Sequence, residues 1–194
     1  MARAVVDKRR EVIERAVAVF SARGYRGTSM NDISEAVGLS KSTLYHYFKG
    51  KEDLLVAIYE DVLEDNVLAA QRILDRSLST QDELSEMMVD RVVYTCKNRR
   101  ILQIFFEEEA ELPRRLMPTV LAGRHAYEAV MTGLIDRGVA EGVFVISTSS
   151  TIVANSFLGA ANWIYKWYQP RGPKSPEELG KEIAGLLMRS IAAP

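Results

Sequence analysis

Apolar residues recur at intervals of three and four along most of this chain, the spacing that puts them on one face of a helix. Ile13, Ala16, Val17 and Phe20 form the inner stripe of a first helix, which Gly24 stops. Thr28 and Ser29 offer caps for a short second helix, Met30 to Val37, with Ile33, Ala36 and Val37 on its apolar face and Gly38 at its end. Ser40 caps a third short helix, Lys41 to Phe48, in which Leu44 and Phe48, four apart, face inward. After Gly50 the pattern predicts a long fourth helix over 51–78, pinned by Leu54, Leu55, Ile58, Val62 and Leu63. Further helices are predicted over 81–97, 99–110, 118–141, 148–169 and 176–192. Pro113, Pro118, Gly142 and the proline-rich run from Pro170 to Pro176 mark breaks. Val143 to Ile146 is strand-like but too short and isolated to build a sheet, and a helix–helix connection explains it better. The expected fold is all-α.

At 194 residues the chain is long enough to bury a substantial core. Hydrophobic residues make up 47% and charged residues 26%, which argues against disorder. Cys96 is the single cysteine, so no intrachain disulfide forms, and a reducing, cytoplasmic location is expected. No apolar run approaches the roughly 20 residues that span a bilayer, and the charged start argues against a signal peptide. The net charge of −1 conceals an asymmetry. Residues 1–50 carry nine Lys/Arg against five Asp/Glu, and the remainder sixteen against twenty-one. A basic head on an acidic body is suited to meeting a polyanion.

The second and third helices are too short to be stable alone and must pack on the first. Joined through Gly38-Leu39-Ser40, they match a helix-turn-helix, whose second helix enters the DNA major groove. Lys41, Ser42 and Thr43 stand in the first turn of that helix, where donors and small hydroxyls reach bases or phosphates. Tyr45, His46 and Tyr47 add rings with polar tips, and Lys49 and Lys51 add point charges. The expected organisation is a three-helix DNA-binding domain over 1–50 and a larger helical effector-binding and dimerisation domain over 51–194.

The stretch from Ala18 to Leu55, with Gly24, Tyr25, Thr28, Ser29, Gly38, Ser40, Tyr45, Tyr47, Phe48 and Lys51 in register, resembles the signature of the TetR family of bacterial repressors. That resemblance implies a dimer on double-stranded operator DNA. It places Ser29, Asn31, Lys41, Ser42, Thr43, Tyr45, His46, Tyr47 and Lys51 at DNA-contacting positions. It also implies a helical body that dimerises and holds an effector whose binding releases the DNA. The fourth helix, continuous with the head, would be the lever.

The helix predicted over 148–169 is apolar on two sides. Ile152, Ser156, Ala160, Trp163 and Trp167 form one stripe; Ala154, Leu158, Ala161, Tyr165 and Tyr168 form the other. Such a helix needs burial on both sides, so one stripe is expected to face the subunit core or pocket and the other a partner subunit. The last helix, with Leu179, Ile183, Leu186, Leu187 and Ile191, completes a four-helix homodimer interface. The segment from Asn162 to Leu179 resembles TetR-type repressors of fatty-acid, steroid and aromatic-acid breakdown, which respond to acyl-CoA thioesters. Such a ligand needs an apolar cavity for its chain and cations for its phosphates. Tyr94, Leu102, Phe105, Phe106, Tyr127, Met131 and Trp163 are candidates for the first, and Arg99, Arg100, Arg124 and Lys166 for the second. The alternatives are that Phe105 and Phe106 are ordinary core and that the arginines are solvated or pair with Glu107, Glu108 and Glu109. A hydrophobic ligand without CoA, a transcriptional activator and a helical adaptor without a DNA role are also compatible with the pattern.

Enzyme chemistry finds little footing. The histidines are His46 and His125 alone, both distant in sequence from Cys96, and neither a metal-ligand cluster nor a glycine-rich phosphate loop appears. Glu107, Glu108 and Glu109 are consecutive, so they fan around a helix rather than converge. No catalytic residue, metal site or cofactor is expected.

Overall fold

The computed structural model describes the backbone of residues 2–193 and the side chains of residues 8–193. Its described residues are helical with no strand, in the order α1 (Ala2–Arg23), α2 (Met30–Val37), α3 (Lys41–Tyr47), α4 (Lys51–Leu74), α5 (Thr80–Lys97), α6 (Arg99–Glu107), α7 (Met117–Ala140), α8 (Ser150–Trp167) and α9 (Pro176–Ile191). Two single 3-10 turns, Glu109–Glu111 and Arg114–Leu116, join α6 to α7. The expected all-α class is the observed one, and Val143–Ile146 is a connection held by one isolated bridge between Phe144 and Ala192.

The helix ends differ from the periodic pattern where local chemistry intervenes. α4 stops at Leu74 rather than near residue 78, because Ser77 turns left-handed (φ 50°) and Ser79 then caps α5 by accepting from the Asp82 amide. α6 stops at Glu107 rather than near residue 110: three consecutive carboxylates fall where the helix dipole disfavours negative charge. α8 ends at Trp167 rather than at 169, since Pro170 disfavours a helical conformation in the residue before it.

The chain divides into two compact units. One comprises residues 1–62 and 100–120, the other 63–99 and 121–194, so α4 and α7 contribute to both. In the first unit α1 buries Ile13, Ala16, Val17 and Phe20, as its stripe requires. The Phe20 ring meets Tyr25 at 5.1 Å. Tyr59 of α4 stacks on Phe105 of α6 at 4.5 Å, and its buried hydroxyl donates to the Phe105 carbonyl at 2.5 Å, so its polar tip is satisfied inside the core.

In the second unit α5 lies against α8 and α9. Leu84, Met87, Met88 and Val92 of α5, Met131 and Ile135 of α7, and Phe157 and Ile164 of α8 share one buried cluster. Two close approaches depend on glycine. At Gly180 a Cβ would lie 3.1 Å from the Val89 carbonyl oxygen, so its absence lets α9 pack directly on α5. At Gly138 the Phe144 ring occupies the space of a Cβ, while the Gly138 carbonyl accepts from the amides of Val143 and Phe144. Buried Phe144 thus closes the end of α7. Gly138→Ala is expected to lower the unfolding free energy by about 1–3 kcal/mol through overpacking. Adding Phe144→Leu should recover part of that loss, and urea unfolding of the single and double variants would measure the coupling.

Candidate nucleic-acid interface and effector residues

The helix-turn-helix is built from caps. Ser29 accepts from the Asp32 amide while the Asp32 carboxylate accepts from the Ser29 amide, a reciprocal box that starts α2. The Ser29 hydroxyl and then its amide, both donating to the carboxylate, hold the Asp32 carboxyl below the usual carboxylate range, with Arg23 adding to the effect. Gly38 ends α2 in the left-handed region (φ 71°), where glycine carries no Cβ penalty. Ser34 is buried and donates to the Leu39 carbonyl at 2.6 Å, tying the turn shut. It takes the inward place that periodicity gave to Ala36, which is exposed. Ser40 then accepts from the Thr43 amide at 3.2 Å and starts α3.

The seven-residue α3 has two anchors. Leu44 is fully buried and Phe48, its C-cap, nearly so, with the Arg9 guanidinium 5.2 Å from the Phe48 ring. Lys41, Ser42, Thr43, Tyr45 and His46 are exposed on the rest of the helix, Tyr45 by 49%. Ser42 and Thr43 share their hydroxyls with Ser40 at 2.9 and 2.8 Å. Tyr47 is half-buried and edge-on to His46. Ser29 and Asn31 are exposed at the start of α2. Lys51 is committed within the protein: its ammonium donates to the Tyr25 carbonyl at 2.8 Å and sits 4.6 Å from the Tyr25 ring. Burial, with Glu52, Glu111 and Glu108 nearby, pushes the Tyr25 phenol up to about 12, so the ring stays neutral. Beside it an open cleft of about 640 Å³ is lined by Arg26, Lys49, Lys51, Glu52, Asp53 and Glu111, with Arg26 paired to Glu111 at 2.6 Å. Mixed charge of this kind does not suit an acyl chain.

The residues expected at the effector divide between the units. In the first, Leu102 and Phe105 are buried, Phe106 is half-buried and edge-on to Phe105, and Arg100 is exposed. In the second, Tyr127 and Met131 are buried and Arg124 is half-buried. The Tyr94 hydroxyl donates to Asp65 at 3.1 Å, and Arg99 donates to the Tyr165 carbonyl at 3.1 Å near the end of α8. Lys166 is exposed, 5.3 Å from the Tyr165 ring. Trp163 is 60% exposed and stands with Ile152, Ser156, Ala160 and Trp167 on an uncovered stripe, whereas Ala154, Ala161, Tyr165 and Tyr168 are buried and Leu158 half-buried.

Sequence reasoning passed over one polar group. Arg91 is only 5% exposed; its Nε and Nη2 donate to the Asn162 side-chain carbonyl at 3.0 and 2.6 Å, and Nη1 donates to that of Asn66 at 2.6 Å. The rings of Tyr94 and Tyr127 each lie 5.8 Å from the guanidinium carbon. The sequence does hold a signal: Arg91 falls on the stripe of Leu84, Met87, Met88 and Thr95, where a charge is out of place.

Residues 12–58 match the family described as bacterial regulatory proteins, tetR family, and residues 77–191 match the Tetracyclin repressor-like C-terminal domain. The HTH-type transcriptional repressor KstR2 of Mycolicibacterium smegmatis is 25% identical over 190 residues, covering 95% of this chain and 91% of that protein. The TetR family transcriptional regulator PfmR of Thermus thermophilus superposes with a TM-score of 0.84 at 27% identity, over 92% of this chain and 97% of that one. AibR, solved with isovaleryl coenzyme A and operator DNA, superposes with a TM-score of 0.80 at 28% identity, over 93% and 98%. KstR2 is a transcriptional repressor and PfmR a transcriptional regulator. Matched in both its head and its body, the chain belongs to the TetR family of transcriptional regulators.

Proposed function

We propose that this protein is a repressor that holds operator DNA as a homodimer and releases it when an acyl-CoA thioester binds to its effector domain. The observation that carries the reading is the division of α3: Leu44 and Phe48 are sunk in the core, while Lys41, Ser42, Thr43, Tyr45 and His46 point away from it. A helix held from one side and polar on the other is ready to enter a major groove. In this reading Ser42, Thr43 and Tyr45 contact bases or phosphates, Lys41 and His46 contact phosphates, and Ser29, Asn31, Tyr47 and Lys51 contact or position the backbone. The DNA-binding segment is 1–50 and the effector and dimerisation segment 51–194.

The dimer reading rests on the last two helices. Ile152, Trp163 and Trp167 of α8 and Leu186 of α9, the last 63% exposed, leave large apolar side chains in water. Such a surface favours a second copy of the chain. Two copies present two recognition helices to half-sites about 34–36 Å apart or a multiple of that. The effector acts by preferring a conformation in which that spacing is wrong, and only its differential affinity for the two states drives release. α4, which contributes to both compact units, is the lever. The AibR structure, with its isovaleryl coenzyme A and its operator DNA, supports the effector class. Buried Tyr127 and Met131 suit the acyl chain, and exposed Arg100 and Lys166 suit phosphates.

Three outcomes are expected. Thr43→Ala and Tyr45→Ala should each weaken operator binding about ten- to a hundredfold with unchanged thermal unfolding, and Lys41→Ala should lower the salt slope by about one. Normal operator affinity in all three would remove α3 as the reading head. In a gel-shift titration on DNA upstream of its own gene, at least one member of an acyl-CoA panel should reverse the shift. Reversal only by hydrophobic compounds lacking CoA would move the protein to that ligand class. Finally, Ile152→Asp with Leu186→Asp should yield monomers in sedimentation velocity; intact dimers would place the interface elsewhere.

A further inference from the structure

Arg91 presents an unbalanced charge. A guanidinium remains protonated at neutral pH and carries five N–H donors. Three of them are used here, all on the neutral amide oxygens of Asn66 and Asn162. No carboxylate among the described residues forms an ion pair with Arg91, and its chain neighbour Asp90 acts on it only through space. A buried cation without a counterion is costly, and proteins ordinarily pair it. Its surroundings are rich in donors and poor in acceptors. The side-chain NH2 groups of Asn66 and Asn162 donate to no described residue. The phenol of Tyr127, a side chain only 7% exposed with its ring against Arg91, has no hydrogen-bond partner among them either. The four side chains come from α4, α5, α7 and α8, all in the second unit. Asn66 and Asn162 are half-buried, so the cluster is reached from their side.

We propose that Arg91, Asn66, Asn162 and Tyr127 form a carboxylate-binding site, and that the effector therefore carries a carboxylate on the part of the molecule that enters the second unit. The proposal rests on the effector reading above and narrows it, from an acyl thioester in general to an acyl group bearing a second, free carboxylate. The carboxylate accepts from the two remaining guanidinium protons, from the asparagine amides and from the phenol, and supplies the charge that Arg91 lacks. An uncharged alkyl chain would leave those donors unmet, and buried donors left unmet are what make a site discriminate.

The test is a binding titration of the full chain with matched thioesters, the monothioesters of the C4–C8 dicarboxylic acids against the saturated acyl-CoAs of equal length, together with the free di- and monocarboxylates. At least one dicarboxylic thioester should bind about tenfold or more tightly than its alkyl counterpart. Arg91→Gln should reduce that preference to within about threefold. Asn162→Asp supplies an internal counterion, so it should raise the melting temperature and abolish the preference. It decides the matter if Arg91→Gln does not fold. A preference for free dicarboxylates without any thioester binding would keep the Arg91 site and remove the CoA reading. No preference for a carboxylated ligand in either series, or a preference that survives Asn162→Asp, would overturn the proposal.

Discussion

A helix of seven residues is not stable in water, and the DNA-reading function of this family's fold hangs on one. α3 exists because Leu44 and Phe48 are buried in the core of the head. Every other element of the head serves that anchoring. The capping box at Ser29 and the left-handed Gly38 fix where α2 begins and ends, and the Ser34 bond to Leu39 fixes the turn. What remains outside is a polar surface that need not contribute to folding and is free to be chosen for recognition.

The compact division of the chain ties the head to more than its own three helices. The unit holding the helix-turn-helix also holds most of α6, through the Tyr59–Phe105 stack, and the turn that follows it, through the Arg26–Glu111 pair. The pair is largely exposed and contributes little stability by itself. The stack, with its buried hydroxyl bond, is the firmer tie. A displacement of α6 therefore meets residues of α4 that belong to the head's own core.

Much of this was legible from residue order alone. The number and kind of helices follow from the apolar periodicity, and the helix-turn-helix follows from Gly38, Ser40 and the spacing of Leu44 and Phe48. The misread boundaries arise where periodicity competes with local chemistry: the left-handed Ser77, the carboxylates after Glu107, and Pro170 at the end of α8. Ala36 and Ser34 exchanged roles because a hydroxyl with a partner is buried as readily as a methyl group. Arg91 stood in plain view on an apolar stripe, but Asn66, Tyr127 and Asn162 lie 25 to 71 residues away on other helices, and only folding brings them to it. Long-range polar clusters have no period, so a pattern-based reading passes over them.

The two tryptophans of this chain, Trp163 and Trp167, stand on the same uncovered stripe of α8. Indole emission shifts to the blue when water is withdrawn from the ring, and no tryptophan elsewhere in the sequence dilutes the signal. The native protein therefore contains an optical gauge for that face, which reports its covering or uncovering without a label.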